Sequence, residues 1–370
     1  MSTAVLVSFR LGGTDGVSVE AAKWAWALGQ LGWRVRTLAG TGCADQLLPG
    51  LAIDADQPPT SRELADALAD ADLVVVENLL SLPLNPPTAQ LLARVLAGRP
   101  ALLHHHDLPW QRPRFARLPP PPDDPAWVHV AINALSQRQL ARRGLQAALL
   151  RNAFDPSAFA AGRRQALRDA LGVEPDELLL LQPTRALPRK NVPGGLALSA
   201  HLARQPLLHR AGWRAVRYWL AGPPEDGYGP ELTRLLADPP LPVTHGLPPG
   251  GPWDPADLYA ASDAVVLPSF WEGFGNPTIE SALARRPLAL GPFPVARELA
   301  AYGFSWALPD DWTPATHAAL AADLAEWLAE PQKWRTDRNE AVARRHFALT
   351  DLPLRLDPLL RRVLGRSPLP

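Results

Sequence analysis

Two glutamates eight residues apart, Glu272 and Glu280, bracket a short turn in Glu272-Gly-Phe-Gly-Asn-Pro-Thr-Ile-Glu280. The run before them, Ala264-Val-Val-Leu-Pro-Ser269, is apolar and β-branched, as in a buried parallel strand. Asn276 and Pro277 suit the cap and first position of a helix. Glu272 therefore belongs to the loop at the carboxyl end of a strand, and Glu280 to the early turns of the next helix. In open α/β sheets ligands bind at that edge, and a helix N-terminus attracts phosphate. Carboxylates repel phosphate, so their partners there are hydroxyl groups, which donate the hydrogen bonds that a carboxylate accepts. Phosphate, ribose and hexose together describe a nucleotide sugar. A capped helix with an acidic first turn is the plainer alternative.

Cations occupy a second loop, Thr184-Arg-Ala-Leu-Pro-Arg-Lys-Asn191. Cleaving a sugar–phosphate bond leaves negative charge on the departing diphosphate, and fixed cations there lower the barrier. Arg185 can grip two phosphate oxygens with its planar fork, and Lys190 supplies a compact charge. Lys190 is one of very few lysines in an arginine-rich chain. The neighbouring Arg189 could fill either role.

The elements that must position these groups alternate along the whole chain. Strands are predicted at 5–10, 35–39, 73–77, 101–105 and 128–132, with helices near 17–31, 89–96 and 136–143. A second series has a helix near 163–171 and strands at 178–182, 218–221, 243–245, 265–267 and 288–290. Such alternation implies parallel sheets covered on both faces. The fold class is α/β: two doubly wound Rossmann-type domains facing across a cleft. We place them at 1–152 and 153–350, with 351–370 an amphipathic helix.

Glu272, the glycine turn, Glu280 and the following strand Arg286-Pro-Leu-Ala-Leu290 resemble the E-x7-E signature of retaining family-4 glycosyltransferases of the GT-B fold. The resemblance spans nearly the whole chain, with its specific motifs in the second half. It implies that Glu272 contacts the donor sugar, Glu280 holds the ribose, and the terminal helix returns to the first domain. Phe274, Gly275 and Asn276 complete the turn, and the resemblance assigns an Arg and a Lys, here Arg185 and Lys190, to the diphosphate. Glu298 matches a commonly acidic position whose role the sequence leaves undefined.

In the first half, Gly12-Gly-Thr-Asp-Gly16 places Gly13 where such folds bring backbone close to a ligand. The run is not G-x-G-x-x-G, and a glycine-rich loop alone is weak evidence. His104-His-His-Asp107 ends a strand at the ligand edge, and adjacent residues there alternate faces and cannot converge on one ion. His106-Asp107 matches the family's His-Asp pair, which implies His106 beside the donor sugar, with His105 the second choice. Acceptor-side candidates are Arg10, Glu77, Asn78, His105 and Arg112. Asp70-Ala-Asp72 precedes its strand and reads as a turn, so no metal site is assigned.

The expected activity is transfer of a hexose from a nucleoside diphosphate sugar, of the UDP-glucose or GDP-mannose type, to an acceptor hydroxyl. Retention of configuration comes from the resemblance alone. No cofactor or metal is expected, and no protein nucleophile is identified. A GT-B sugar phosphorylase, an epimerase or a catalytically silent partner subunit are the competing readings. Zero formal net charge gives no reason to expect nucleic acid. One cysteine, Cys43, and no apolar run of bilayer length suggest a cytoplasmic protein, with peripheral membrane contact left open.

Overall fold

The computed structural model describes residues 1–13, 15–82, 84–329 and 333–365. Thr14 of the glycine loop and 366–370 of the tail therefore lie outside the described residues. The chain divides into two compact units, Met1–Ala153 with Leu349–Pro370, and Phe154–Ala348. The expected boundaries fall one or two residues away, at 152 and 350.

In the first unit the strands are β1 (Thr3–Leu11), β2 (Arg34–Gly42), β3 (Gln46–Leu47), β4 (Leu73–Glu77), β5 (Ala101–His105), β6 (Trp127–Ala131) and β7 (Ala147–Leu149). They form one sheet, β3-β2-β1-β4-β5-β6-β7, with every pairing parallel. Both faces are covered. Ala4, Leu6, Val75 and Leu102 pack with Trp24 and Leu28 of the helix Gly16–Gln30. The alternate residues Val5, Val7, Val76 and Leu103 pack with Leu64, Leu91 and Leu92 on the opposite face. Double burial explains why these strands read as continuous apolar runs.

The terminal helix Leu352–Val363 buries Leu352, Leu356, Leu360 and Val363 in the Trp24 cluster of this unit. Residues four apart share a helix face, so this stripe tolerates the internal Pro358 while keeping its apolar side inward.

The second unit repeats the plan with β8 (Glu177–Gln182), β9 (Ala215–Leu220), β10 (Val243–His245), β11 (Ala264–Leu267) and β12 (Leu288–Leu290). Their order is β10-β9-β8-β11-β12, again all parallel. In each sheet the order reverses beside the first strand, between β1 and β4 and between β8 and β11. That reversal is the topological switch point of a doubly wound sheet, where the loops from neighbouring strands run to opposite faces. The two short strands β3 and β7 were not expected from the sequence.

Candidate active site

At the switch point of the second sheet, β8 and β11 deliver the two loops singled out by their charges. After β8 the chain forms a tight turn, Pro188–Lys190, and Asn191 adopts a left-handed conformation with φ 51°. The Asn191 side chain caps the helix Val192–Leu202 by accepting from Gly194 N–H at 3.1 Å. Its amide donates to the Pro268 carbonyl at 3.1 Å, which ties this loop to the one after β11. The second loop ends at Gly275, whose φ of 89° no β-carbon-bearing residue adopts easily. A Cβ there would also meet the Phe293 ring at 3.0 Å. Gly275, not Asn276, is the N-cap of the helix Asn276–Leu283, one residue earlier than the sequence suggests. The cap is conformational rather than a side-chain hydrogen bond, which is why Asn276 misled.

Lys190 and Glu272 are expected to hold different parts of a ligand, and the structure joins them to each other. Lys190 Nζ donates to both Glu272 oxygens, at 2.6 and 2.7 Å, and Ser269 Oγ donates to Oε1 at 2.6 Å. Arg189 stands 3.6 Å from the same carboxylate and donates to the Trp271 carbonyl at 3.1 Å. Both members of the pair are buried. Burial pushes the Lys190 ammonium down to about 8, with the Glu272 charge opposing the shift. For Glu272 burial acts upward, but Lys190 and Arg189 outweigh it and hold the carboxyl below its usual value. An ammonium has three donors, and two of them point at Glu272.

The remaining donor-side candidates are placed less uniformly. Arg185 is half-buried and pairs with Glu225 at 2.5 Å. Glu280 accepts from the Tyr259 hydroxyl at 2.6 Å. Tyr259, on the helix Pro255–Ala261, was missed because a lone aromatic on an amphipathic helix reads as core. Phe274 is buried between the Phe154 and Phe347 rings, with centroids 6.2 and 6.0 Å away, so its side chain packs rather than faces a ligand. Glu298 lies on the helix Pro294–Ala300.

Strand alternation splits the histidine run of the first unit. His104 and His106 fall on the Trp24 face and His105 on the other. Glu77, paired in register with His104, joins them there. Glu77 Oε2 accepts from His104 Nδ1 and His106 Nε2, both at 2.8 Å. His104 stacks on Trp24 with centroids 4.2 Å apart. His105 instead bonds Ser81 Oγ at 2.5 Å and His129 at 2.8 Å, and His129 continues to Asp123 at 3.0 Å. Both ring nitrogens of His105 are thus engaged in a buried chain. The sequence argument that neighbouring histidines cannot converge holds for His105, but it overlooked the alternate pair.

Among the described residues, Glu77, His104 and His106 are the His, Cys, Asp or Glu groups close enough together to hold a metal, with ligand atoms within 4.8 Å of one another. The 2.8 Å contacts of Glu77 with the two rings are of hydrogen-bond length. Burial pushes the Glu77 carboxyl up, yet the two histidines outweigh it and hold it at about 2. Burial lowers His104, while for His106 the Glu77 bond overcomes burial and raises it.

Of the other first-unit candidates, Asn78 is buried with φ 59° and accepts from the N–H groups of His106 and Asp107, both at 3.1 Å. Arg112 pairs with Asp107 at 3.0 Å. Arg10 lies 3.2 Å from Asp15, which caps the first helix beside Gly13. Asp72 accepts from Thr3 N–H at 2.8 Å, at the strand edge away from these groups.

No protein-family model matches the chain. It is 26% identical to mannosylglucosylglycerate synthase of Thermotoga maritima over 436 aligned positions, covering 97% of this chain and 99% of the relative. The enzyme of the same name from Petrotoga mobilis is 24% identical, with 97% and 96% covered. Among solved structures, Anabaena HepE in complex with UDP-glucose superposes with a TM-score of 0.67 at 19% identity, covering 97% of this chain and 99% of that one. The fold class is therefore that of the GT-B glycosyltransferases, built from two Rossmann-like parallel-sheet domains. No helix among the described residues is long and apolar enough to cross a membrane.

The buried pair yields a stability prediction. Lys190→Met strands a buried carboxylate and Glu272→Leu a buried ammonium, so each should destabilise the protein by about 3–5 kcal/mol. The double variant removes both charges and should recover most of that loss in urea denaturation. Additive losses in the double variant would show that the two charges do not compensate one another.

Proposed function

We propose that the protein is a retaining, metal-independent glycosyltransferase of the family-4 type. It moves a hexose from a nucleoside diphosphate sugar to an acceptor hydroxyl. The observation that carries this reading is the Lys190–Glu272 pair at the switch point of the second sheet, with Glu280 on the helix that the same loop opens. Full-length similarity to sugar-transferring relatives supports it. A UDP- or GDP-sugar is the donor class, in keeping with the UDP-glucose bound by HepE. We place the protein in the cytoplasm.

In this reading the second unit binds the donor. Glu280, oriented by Tyr259, accepts from the ribose, while Glu272 accepts from a sugar hydroxyl and is held for that purpose by Ser269 and Lys190. Arg185 and Lys190 stabilise the diphosphate as it departs, with Arg189 beside them. The leaving phosphate oxygen takes the acceptor proton, so no protein nucleophile is needed. The first unit supplies the acceptor side, where Arg10 and Arg112 keep part of their side chains exposed. His106 is the sugar-facing group of this unit.

Three measurements test the reading. Glu280→Gln should weaken binding of the nucleoside diphosphate product in calorimetry, by roughly 1.5–3 kcal/mol. Glu272→Gln should leave product binding nearly intact and impair transfer. Equal product binding by both variants and wild type would remove the ribose role from Glu280. Thorough chelation should leave turnover unchanged, and activity restored by magnesium or manganese would refute the cation-only diphosphate site. The ammonium is the working form of Lys190, so kcat should fall as pH rises through about 8. Lys190→Arg, which stays charged there, should move that limb upward in the pH–kcat profile.

A further inference from the structure

Glu77 appears in the sequence as an acceptor-side candidate, but its carboxylate is fully buried at the end of β4. Its contacts point to another task. One oxygen, Oε2, takes both His104 Nδ1 and His106 Nε2 at 2.8 Å, and the other, Oε1, is buried without a hydrogen-bond partner. An ionised carboxylate only accepts, so each ring nitrogen facing it must carry a hydrogen. That fixes His106 with its hydrogen on Nε2 and leaves Nδ1 as its second ring nitrogen. Asn78 holds the His106 backbone through Oδ1, while His104, stacked on Trp24, fixes the Glu77 oxygen from the other side.

We propose that Glu77 is a positioning residue for the transfer reaction: it sets the tautomer and orientation of His106 so that Nδ1 is the ring nitrogen offered to a hydroxyl group of the sugar. The proposal rests on the reading that His106 faces a sugar. With Nε2 turned to Glu77, Nδ1 is the nitrogen that meets a hydroxyl in either form of the ring, accepting from it when neutral and donating to it in the imidazolium that the Glu77 bond favours. Orientation at a reacting centre is worth large factors in rate, and an imidazole free to flip presents the correct nitrogen only part of the time.

Two measurements separate the clamp from the function. In wild-type protein at neutral pH, nitrogen-15 NMR of the histidine rings should show hydrogen on His106 Nε2 and on His104 Nδ1. Glu77→Met keeps the volume but accepts from neither ring. It should lower kcat on the order of 100-fold while the donor KM moves little. Glu77→Gln retains one carbonyl oxygen for the two rings and should recover most of that loss.

An active wild type whose His106 carries a hydrogen on Nδ1 and none on Nε2 overturns the clamp and leaves the function standing. So does a folded Glu77→Met variant with wild-type kcat. If that variant does not fold, the wild-type ring spectrum and the kcat of Glu77→Gln decide, and a Gln variant as impaired as His106→Ala would overturn the orienting role. One equivalent of zinc or manganese bound by wild type and lost in Glu77→Gln would also overturn it, because an ion would require the two nitrogens bare. A wild type that transfers no sugar from any nucleotide donor removes the proposed function and this inference with it, whatever the ring spectra show.

Discussion

A parallel sheet wound in two directions must open where the winding changes, and both units are organised around that opening. Parallel strands cannot be joined by hairpins, so each connection crosses a face of the sheet. At β1/β4 and β8/β11 the connections leave for opposite faces, and the carboxyl ends of those strands lose the cover found elsewhere along the sheet. The candidate site residues sit at these ends. Lys190 follows β8, Glu272 follows β11, Gly13 follows β1, and Glu77 ends β4. The proximity of Lys190 to Glu272 is a product of strand order, since the two stand eighty-two positions apart in the chain.

Each unit buries a carboxylate at this edge, and the two are neutralised by different means. Glu272 has an ammonium and a serine hydroxyl, whereas Glu77 has two imidazoles. A buried ion pair contributes little net stability compared with apolar residues of similar volume, because desolvation offsets the attraction. The Lys190–Glu272 pair is therefore weak evidence of stabilisation in its own right. The imidazole cluster differs again, since burial disfavours the charged form of His104 while the Glu77 bond favours that of His106.

Much of this was legible in the sequence. Apolar runs of buried length located the principal strands, and the turn at Gly273–Gly275 marked the loop that bears Glu272. What was not legible depended on register and on conformation. That His104 and His106 share a face follows from alternation, but their meeting with Glu77 needs the pairing of β4 with β5, which no local pattern encodes. The cap at Gly275 depends on a positive φ rather than on a polar side chain. Tyr259 reaches Glu280 from the preceding helix, with a strand and the glycine turn between them, a contact that no local pattern encodes. Glu77 was read as an acceptor-side candidate from its place at a strand end, and its compensating histidines become visible only in three dimensions.

Charge bookkeeping at the second sheet shows how far side chains alone can serve a diphosphate. Arg185, Arg189 and Lys190 supply three cations, and Glu225 and Glu272 accept from or lie beside them, which leaves a net charge of +1. A nucleoside diphosphate ester carries about two negative charges, so these side chains do not balance it by themselves. Two helices, Val192–Leu202 and Asn276–Leu283, begin at the same loops and direct their first N–H groups toward this edge. Each N-terminus acts as roughly half a positive charge. Together they bring the local sum near +2 without a divalent ion, provided that Lys190 remains protonated. The depressed ammonium of Lys190 is thus the most sensitive member of the set, and Glu272, by opposing its discharge, keeps the cation in place.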